Sequence, residues 1–266
     1  TSKGYIKRMT EDEFQVQNRG GRGVQGMGVR DDDGIQALVS GSTHDTIFFF
    51  TNKGRVYRSR GYEIPEYGRT ARGIPVVNLL NLSDDEYIRE MISVNDDKDE
   101  KYLFFLTKDG TAKRSDVEEY KSIRNNGLIA LNLKEGDELV SVFPTRGNQS
   151  IIIGSHEGNA MAFNEEDVRV MGRTATGVRG IRLRGDDFVI GAVVLEEDEE
   201  VLAVTEKGYG KRTSVSEYVL KKRGGFGVKT SNISEKSGKL AGIVATQGKE
   251  DLVIMTDHGV VIRIKT

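Results

Sequence analysis

The sequence predicts an all-β chain of about six repeated, four-stranded units, and three observations predict it. Apolar runs lead again and again into one polar turn that ends on glycine. Those glycines recur about every fifty residues, the range of propeller-like blades. The composition, with 32 glycines, three prolines and no tryptophan, favours tight turns over long helices.

The copies run through the chain in order. Residues 48–54, 103–110 and 201–208 share the turn, and residues 151–158 and 252–259 follow the same plan. Each reads as a β-rich strand, a polar turn and a second strand. Residues 4–8 look like the second half of a further copy whose first strand is missing. The anchor glycines are Gly4, Gly54, Gly110, Gly158, Gly208 and Gly259, with spacings of 50, 56, 48, 50 and 51. Four residues past each anchor stand Arg8, Arg58, Arg114, Ala162, Arg212 and Arg263. Arginine is almost never buried unless paired, so a core role does not explain that recurrence.

A second glycine follows the first five anchors, at Gly23, Gly73, Gly127, Gly177 and Gly227. An apolar residue comes directly after each. Arg19, Arg69, Arg173 and Arg223 stand four residues before it, and Arg124 three before. The loop is therefore repeated, which a flexible linker would not be. Further strands are expected over residues 74–80, 87–94, 128–133, 178–183, 188–195 and 240–246. Single helical turns are expected over residues 10–14, 115–120 and 214–218. The first and last copies are incomplete in complementary ways, so segments from the two ends should combine to close the ring or leave it a spiral. The repeated arginines would then form a belt around one domain spanning residues 1–266.

The richest loop is Gln17, Asn18, Arg19, Gly20, Gly21, Arg22 and Gly23. Glycines so dense would weaken a helix or a strand, so the segment reads as a loop. Free backbone N–H groups beside two guanidiniums suit a phosphate backbone. A formal GxGxxG begins at Gly21, but no apolar strand leads in and no helix opens after it.

The net charge of −2 hides this distribution. Acid is concentrated in residues 31–33, 84–86, 96–100 and 196–200, which read as solvated loops. No cysteine is present, which excludes disulfides, thiolate metal sites and cysteine nucleophiles, and fits a reducing cytoplasm. No apolar run has the length of a membrane span, and no signal peptide is visible. Thr1 opens the chain in place of methionine, as a piece of a longer protein would. His44, His156 and His258 are far apart, and the last two occupy adjacent places in the repeated turn. Neither an HExxH motif nor a Walker loop is present.

With these residues in view, residues 17–23 resemble the glutamine-arginine-arginine-glycine-glycine box of the bacterial DNA gyrase A subunit. The whole chain resembles that subunit's C-terminal domain, with matching segments at residues 49–57, 172–178 and 208–213. Asn18 departs from the box, which usually has a basic residue there. The resemblance implies a six-bladed β-pinwheel that wraps double-stranded DNA around a basic rim. It implies no active site in this chain, with ATP and magnesium used elsewhere in an ATP-dependent type II topoisomerase. It also implies assembly with the gyrase B subunit, and with the rest of the gyrase A subunit, in the bacterial cytoplasm and away from the membrane. Besides the box, the residues expected on the rim are Lys7, Arg8, Arg55, Arg58, Arg69, Arg72, Lys113, Arg114, Arg124, Arg173, Arg179, Lys211, Arg212, Arg223 and Arg263. Two alternatives stay open at this point: the related domain of topoisomerase IV, whose box is degraded or absent, and a propeller-like protein-interaction scaffold.

Overall fold

The computed structural model describes residues 1–13, 16–17, 24–29, 32–94, 99–196, 198–256 and 260–265. Strands and short 3-10 turns make up its regular structure, with no α-helix among the described residues. Five hairpins carry the repeat: Thr46–Thr51 with Arg55–Arg60, Tyr102–Thr107 with Thr111–Asp116, Ser150–Ser155 with Asn159–Asn164, Glu200–Thr205 with Gly210–Ser214, and Asp251–Met255 with Val260–Lys265. One device closes each turn. A threonine or serine three residues before the anchor glycine accepts the N–H one residue after it. Thr51, Thr107, Ser155, Thr205 and Thr256 all do this, at 3.1–3.3 Å. Gly54, Gly110, Gly158 and Gly208 take a left-handed conformation, φ 69° at Gly54 and 87° at Gly110, which a side chain would disfavour.

Two compact units are present, and the first comprises Thr1–Asp97, Ile123–Leu128 and Gly248–Thr266. Within it, Ile88–Val94, Thr46–Thr51 and Arg55–Arg60 lie side by side. Tyr5–Ile6 pairs with Ile74–Pro75. The C-terminal strand Val260–Lys265 pairs in parallel with Val16–Gln17 and antiparallel with Val24–Gln25, so segments from both ends of the chain share one sheet. Ile6, Ile47, Phe49, Tyr57, Ile64 and Val76 form the core of this unit.

The second unit comprises Lys98–Ser122 and Ile129–Gln247. Its first sheet runs Leu139–Thr145, Tyr102–Thr107, Thr111–Asp116, Val178–Arg179. Its second runs Val189–Leu195, Ser150–Ser155, Asn159–Asn164, Val228–Lys229, and its third Leu240–Thr246, Glu200–Thr205, Gly210–Ser214. Strand Val189–Leu195 touches both Leu139–Thr145 and Leu240–Thr246. These three share the inner side, which leaves Val178–Arg179 and Val228–Lys229 on the outer edges. Between the sheets, Phe104, Leu106, Ile151, Ile153, Met161 and Phe163 form a continuous buried core. Burying side chains of this size contributes about 1.5–3 kcal/mol each.

The fourth strand of a sheet comes from the following repeat. Val178 and Arg179 pair with Ala112 and Thr111, and Val228 and Lys229 with Ala160 and Asn159. This corrects the longer strands expected after each second glycine. The partner strand reaches its own glycine turn after two residues, so only two residues can pair. Residues 76–78 turn into a 3-10 segment instead of extending the strand. The other strands match their expected spans within a residue or two, and 3-10 turns fall at Glu11–Glu13, Val117–Tyr120 and Val215–Glu217.

The acidic runs are not all solvated. Asp33 and Glu86 are buried. Glu86 accepts from Thr51 Oγ1, Tyr57 OH and both Ser83 N and Oγ, at 2.8–3.0 Å. Those bonds hold its carboxyl below the usual range despite the burial that opposes them. Apolar periodicity does not report such a residue, because its burial depends in part on Thr51 and Tyr57, which are distant in sequence.

Glu90 is different. It stands opposite Phe50, where other sheets place Ser141, Gly191 and Gly242. Burial pushes its carboxyl up to about 7, against a single backbone bond from Met91 N at 3.0 Å. An unfolded glutamate titrates near about 4.3, so the folded chain binds the extra proton between that value and about 7, and stability falls as pH rises through this window. Glu90→Gln should therefore raise the melting temperature at pH 8 and leave it nearly unchanged at pH 4. Thermal denaturation at the two pH values checks this.

Candidate nucleic-acid interface

The second glycine fixes where each loop lies. A Cβ at Gly73 would stand 2.2 Å from the Ile6 carbonyl oxygen. At Gly177 the distance would be 2.5 Å to Ala112 O, at Gly227 2.9 Å to Ala160 O, and at Gly127 3.0 Å to Val56 O. Each of these carbonyls lies two residues past an anchor glycine. The loop thus presses against the hairpin of the preceding repeat, with no room for a side chain.

Lysine ties the same junction. Lys7 Nζ donates to the carbonyls of Gly68, Arg69 and Ala71 at 2.6–3.0 Å. Lys113, at the equivalent repeat position, donates to Ala130 O at 2.5 Å, to Arg173 O and to Tyr120 OH. Arg69 and Arg173 are the matching loop arginines, so one lysine clasps the next loop in both places. Burial lowers the ammonium pKa of both, to about 7 at Lys113.

The loop arginines reach back in turn. Arg173 Nη1 donates to Ile129 O. Arg223 Nη1 donates to Arg179 O at 3.0 Å, and its Nε to Asp167 O at 2.7 Å. Ile129 and Arg179 each stand two residues past a second glycine. Arg72 lies 3.6 Å over the Tyr5 ring and 3.5 Å from Asp33, and Arg69 Nε is buried without a partner. Arg55 donates to Asn126 O beside Glu86.

The arginine four residues past the anchor is a staple as well. Arg8 Nε donates to Ile64 O at 3.1 Å, and Arg114 Nε to Val168 O at 2.8 Å. Ile64 and Val168 both close a 3-10 turn in the next repeat. Four of the arginines at this position also meet a carboxylate: Arg8 with Glu66 at 2.8 Å, Arg114 with Glu165 at 3.4 Å, Arg212 with Glu200 at 3.3 Å and Arg263 with Asp251 at 2.7 Å. Glu165 is fully buried and also accepts from Thr145 Oγ1, Gly147 N and Gln149 N.

These contacts correct the expected rim at two positions. Lys113 is 1% exposed and Arg114 6% exposed. Neither can present its charge to a large ligand, and recurrence of arginine does not exclude a core role where the arginine is paired. Arg58, Arg124, Arg179, Lys211 and Arg212 are exposed, while Lys7, Arg8, Arg55, Arg69, Arg72, Arg173, Arg223 and Arg263 are half-buried, and all of these but Arg69 have part of the cation engaged in the frame. Of the loop at residues 17–23, Gln17 is paired through its backbone with Ile264. Asn18, Arg19, Gly20, Gly21, Arg22 and Gly23 lie outside the described residues.

The second unit also exposes basic residues that sequence reasoning missed: Arg182, Arg184, Lys221, Lys222 and Lys229. Lys229 stands two past its second glycine, as Arg179 does, and that shared register was a legible signal. Gly224 N donates to Gly180 O at 2.6 Å and Arg182 N to Gly225 O at 2.8 Å, so residues 180–182 run beside the 223–226 loop. Arg182 and Arg184 place guanidiniums 5.3 and 4.5 Å from the exposed Phe226 ring. The result is a basic strip on the outer edge of the second unit, with donors suited to phosphate oxygens. Among the described residues no acidic or histidine cluster has the form of a metal site.

Comparison with known proteins matches residues 1–40, 45–95, 101–146, 149–196, 199–247 and 250–266 to the family described as DNA gyrase C-terminal domain, beta-propeller. The DNA gyrase A subunit of Staphylococcus epidermidis is 50% identical over 263 residues, covering 98% of this chain and 30% of the relative. Its counterpart from Staphylococcus aureus is 48% identical with the same coverage. The chain thus spans about 30% of the length of these relatives. Among solved structures, a DNA gyrase A C-terminal domain superposes with a TM-score of 0.90 at 28% identity, covering 98% of this chain and 86% of that one. The C-terminal domain of a DNA topoisomerase IV gives 0.73 at 26% identity, covering 99% and 81%.

The division between staple and exposed charge is testable by stability. Lys113→Ala removes the donor to Arg173 O, leaves Ala130 O with Tyr120 OH alone, and opens a gap at a buried site, and should cost about 2–4 kcal/mol. Arg179→Ala removes an exposed side chain and should change stability by less than about 0.5 kcal/mol. Urea unfolding of the two variants measures both.

Proposed function

From the premise that the chain belongs to the DNA gyrase C-terminal domain family of β-propellers, we propose that it binds and bends double-stranded DNA for a type II topoisomerase. The observation that carries the reading is the basic strip of the second unit. Arg179 and Lys229 occupy the same position in successive repeats, on outer-edge strands, with Lys221 and Lys222 exposed nearby. Successive equivalent cations suit a polyanion of regular charge spacing. No α-helix is available among the described residues to read a major groove, so the binding is to phosphates and is weakly specific in sequence.

The basic loop at residues 17–23 belongs to this reading as the element that completes the wrap. Strands on either side of it pair with the C-terminal strand, which ties its two ends to one frame. In the whole enzyme the bent DNA would feed a neighbouring segment into strand passage in one handed sense. ATP, magnesium, the strand-cleaving chemistry and the gyrase B subunit belong to that larger assembly. This chain supplies the DNA path, in a bacterial cytoplasm.

Counterion release gives the test. Each neutralised phosphate contributes about 0.9 to the slope of log affinity against log salt. Replacing Arg179, Lys221 and Lys229 together by alanine should lower that slope by about 3 and leave the unfolding midpoint unchanged. An unchanged slope on duplex DNA would remove the outer edge from the interface.

A further inference from the structure

The position directly before each second glycine holds Arg22, Arg72, Asn126, Thr176 and Phe226. An aromatic stands there once. Five and seven residues past the second glycine come Gly28 and Arg30, Asn78 and Leu80, Asn132 and Lys134, Arg182 and Arg184, and Asn232 and Ser234. A pair of arginines also occurs once. The fold brings these two exceptions together. Gly28 N donates to Ala71 O at 3.5 Å, Asn132 N to Ala175 O at 3.4 Å and Arg182 N to Gly225 O at 2.8 Å, so one kind of seam joins a repeat to the loop of the next. Of these seams, the one at Arg182 carries an aromatic ring with two guanidiniums.

Beside it opens a concavity of about 350 Å³, lined by Asn159, Arg182, Arg184, Asp187, Phe226 and Lys229 among others. Small-molecule sites have volumes of about 300–1,000 Å³. The acid of the pocket does not neutralise its cations. Asp187 accepts from Ser155 Oγ at 2.7 Å, Phe188 N at 2.9 Å, Glu157 N at 3.0 Å and Asn159 Nδ2 at 3.4 Å, so its carboxylate serves the hairpin. Arg182, Arg184 and Lys229 are exposed, and among the described residues none of the three meets a carboxylate. The two guanidiniums stand 5.3 and 4.5 Å from the centre of the Phe226 ring. A guanidinium held against a ring is fixed in place, while its N–H groups stay available to an anion. Phe226 itself keeps 41% of its surface exposed.

Phosphate contacts make no use of an exposed phenyl ring, whereas the face of a nucleobase does. Such stacking tolerates any sequence, because every base has a π-face. In a duplex those faces are covered by neighbouring bases, so the ring can meet one only where a nucleotide is unpaired. We infer that this pocket takes a single unpaired nucleotide, its base against Phe226 and its phosphate among Arg182, Arg184 and Lys229. This adds a second contact to the duplex path proposed above, and rests on that reading only for the attraction of the strip to phosphate. The nucleotide comes from a strand opened within bound DNA or from a free nucleoside triphosphate.

Two probes separate these sources: a strand of about ten deoxythymidines carrying one 5-iododeoxyuridine, and free 5-iododeoxyuridine triphosphate. Long-wavelength irradiation joins the iodinated base to a ring stacked on it. Mass spectrometry of the digested chain should place the adduct on Phe226. An adduct from the strand alone identifies an opened strand as the source, and one from the triphosphate a free nucleotide. Phe226→Leu should weaken binding of the probe that forms the adduct at least about fivefold more than binding of a duplex, and Phe226→Trp should restore it. Arg184→Gln, which keeps the ring, should shift the same ratio in the same direction and reads it if the leucine variant does not fold. An adduct elsewhere with both probes, or equal losses for probe and duplex, would overturn the inference while leaving the salt dependence carried by Arg179, Lys221 and Lys229 intact. Loss of that salt dependence with the Phe226 adduct retained would overturn the duplex reading alone.

Discussion

A carbonyl of one repeat and a glycine of the next approach too closely for any side chain to stand between them. At Gly73 and Ile6 the space is 2.2 Å from the place a Cβ would take. The contact sets the two-residue pairing that completes each sheet from the following repeat. It also brings the loop carbonyls within reach of Lys7 and Lys113, and the loop arginines within reach of the preceding strand. Removing the close approach would leave each hairpin with an open edge and each lysine with no acceptors. The repeats are interlocked by backbone geometry first and by charge second.

Charge therefore performs two tasks on one sequence pattern. Arg114 and Lys113 lie inside, where a cation is stable only with its full set of acceptors. Arg179 and Lys229 lie outside on edge strands, where a cation in water is inexpensive and a phosphate can displace solvent. The acidic partners of the staples help explain how a chain with net charge −2 can still present a basic edge. Glu165, Glu66 and Asp251 each meet an arginine of the frame, so part of the negative charge is neutralised locally.

The hairpins and their period were legible because apolar runs and turn glycines are local signals. The serine and threonine three residues before each anchor were equally visible, and their shared hydrogen bond gives that spacing its cause. What could not be read was burial of charge. Arg58 and Arg114 hold the same place in the repeat, yet one is exposed and the other buried with Glu165. The acceptors that hold Arg114, Val168 O and Glu165, lie more than fifty residues away, which no spacing rule contains. Glu86 escaped because two of its donors, Thr51 and Tyr57, lie about thirty residues away on the hairpin. The short strands after the second glycines were overestimated because their length depends on where the neighbour turns.

Handed bending of DNA is the claim on which the functional account stands. Smooth bending by 40–90° over 20–30 base pairs costs about 1–6 kcal/mol, so a path held by many weak contacts must be continuous to persist. The direct measurement is the linking number of relaxed closed-circular DNA after nicking and resealing in the presence of the chain. A shift of one sign, growing with protein and lost when residues 17–23 are replaced by alanine while duplex binding remains, is the expected result. No shift at saturating protein would contradict it.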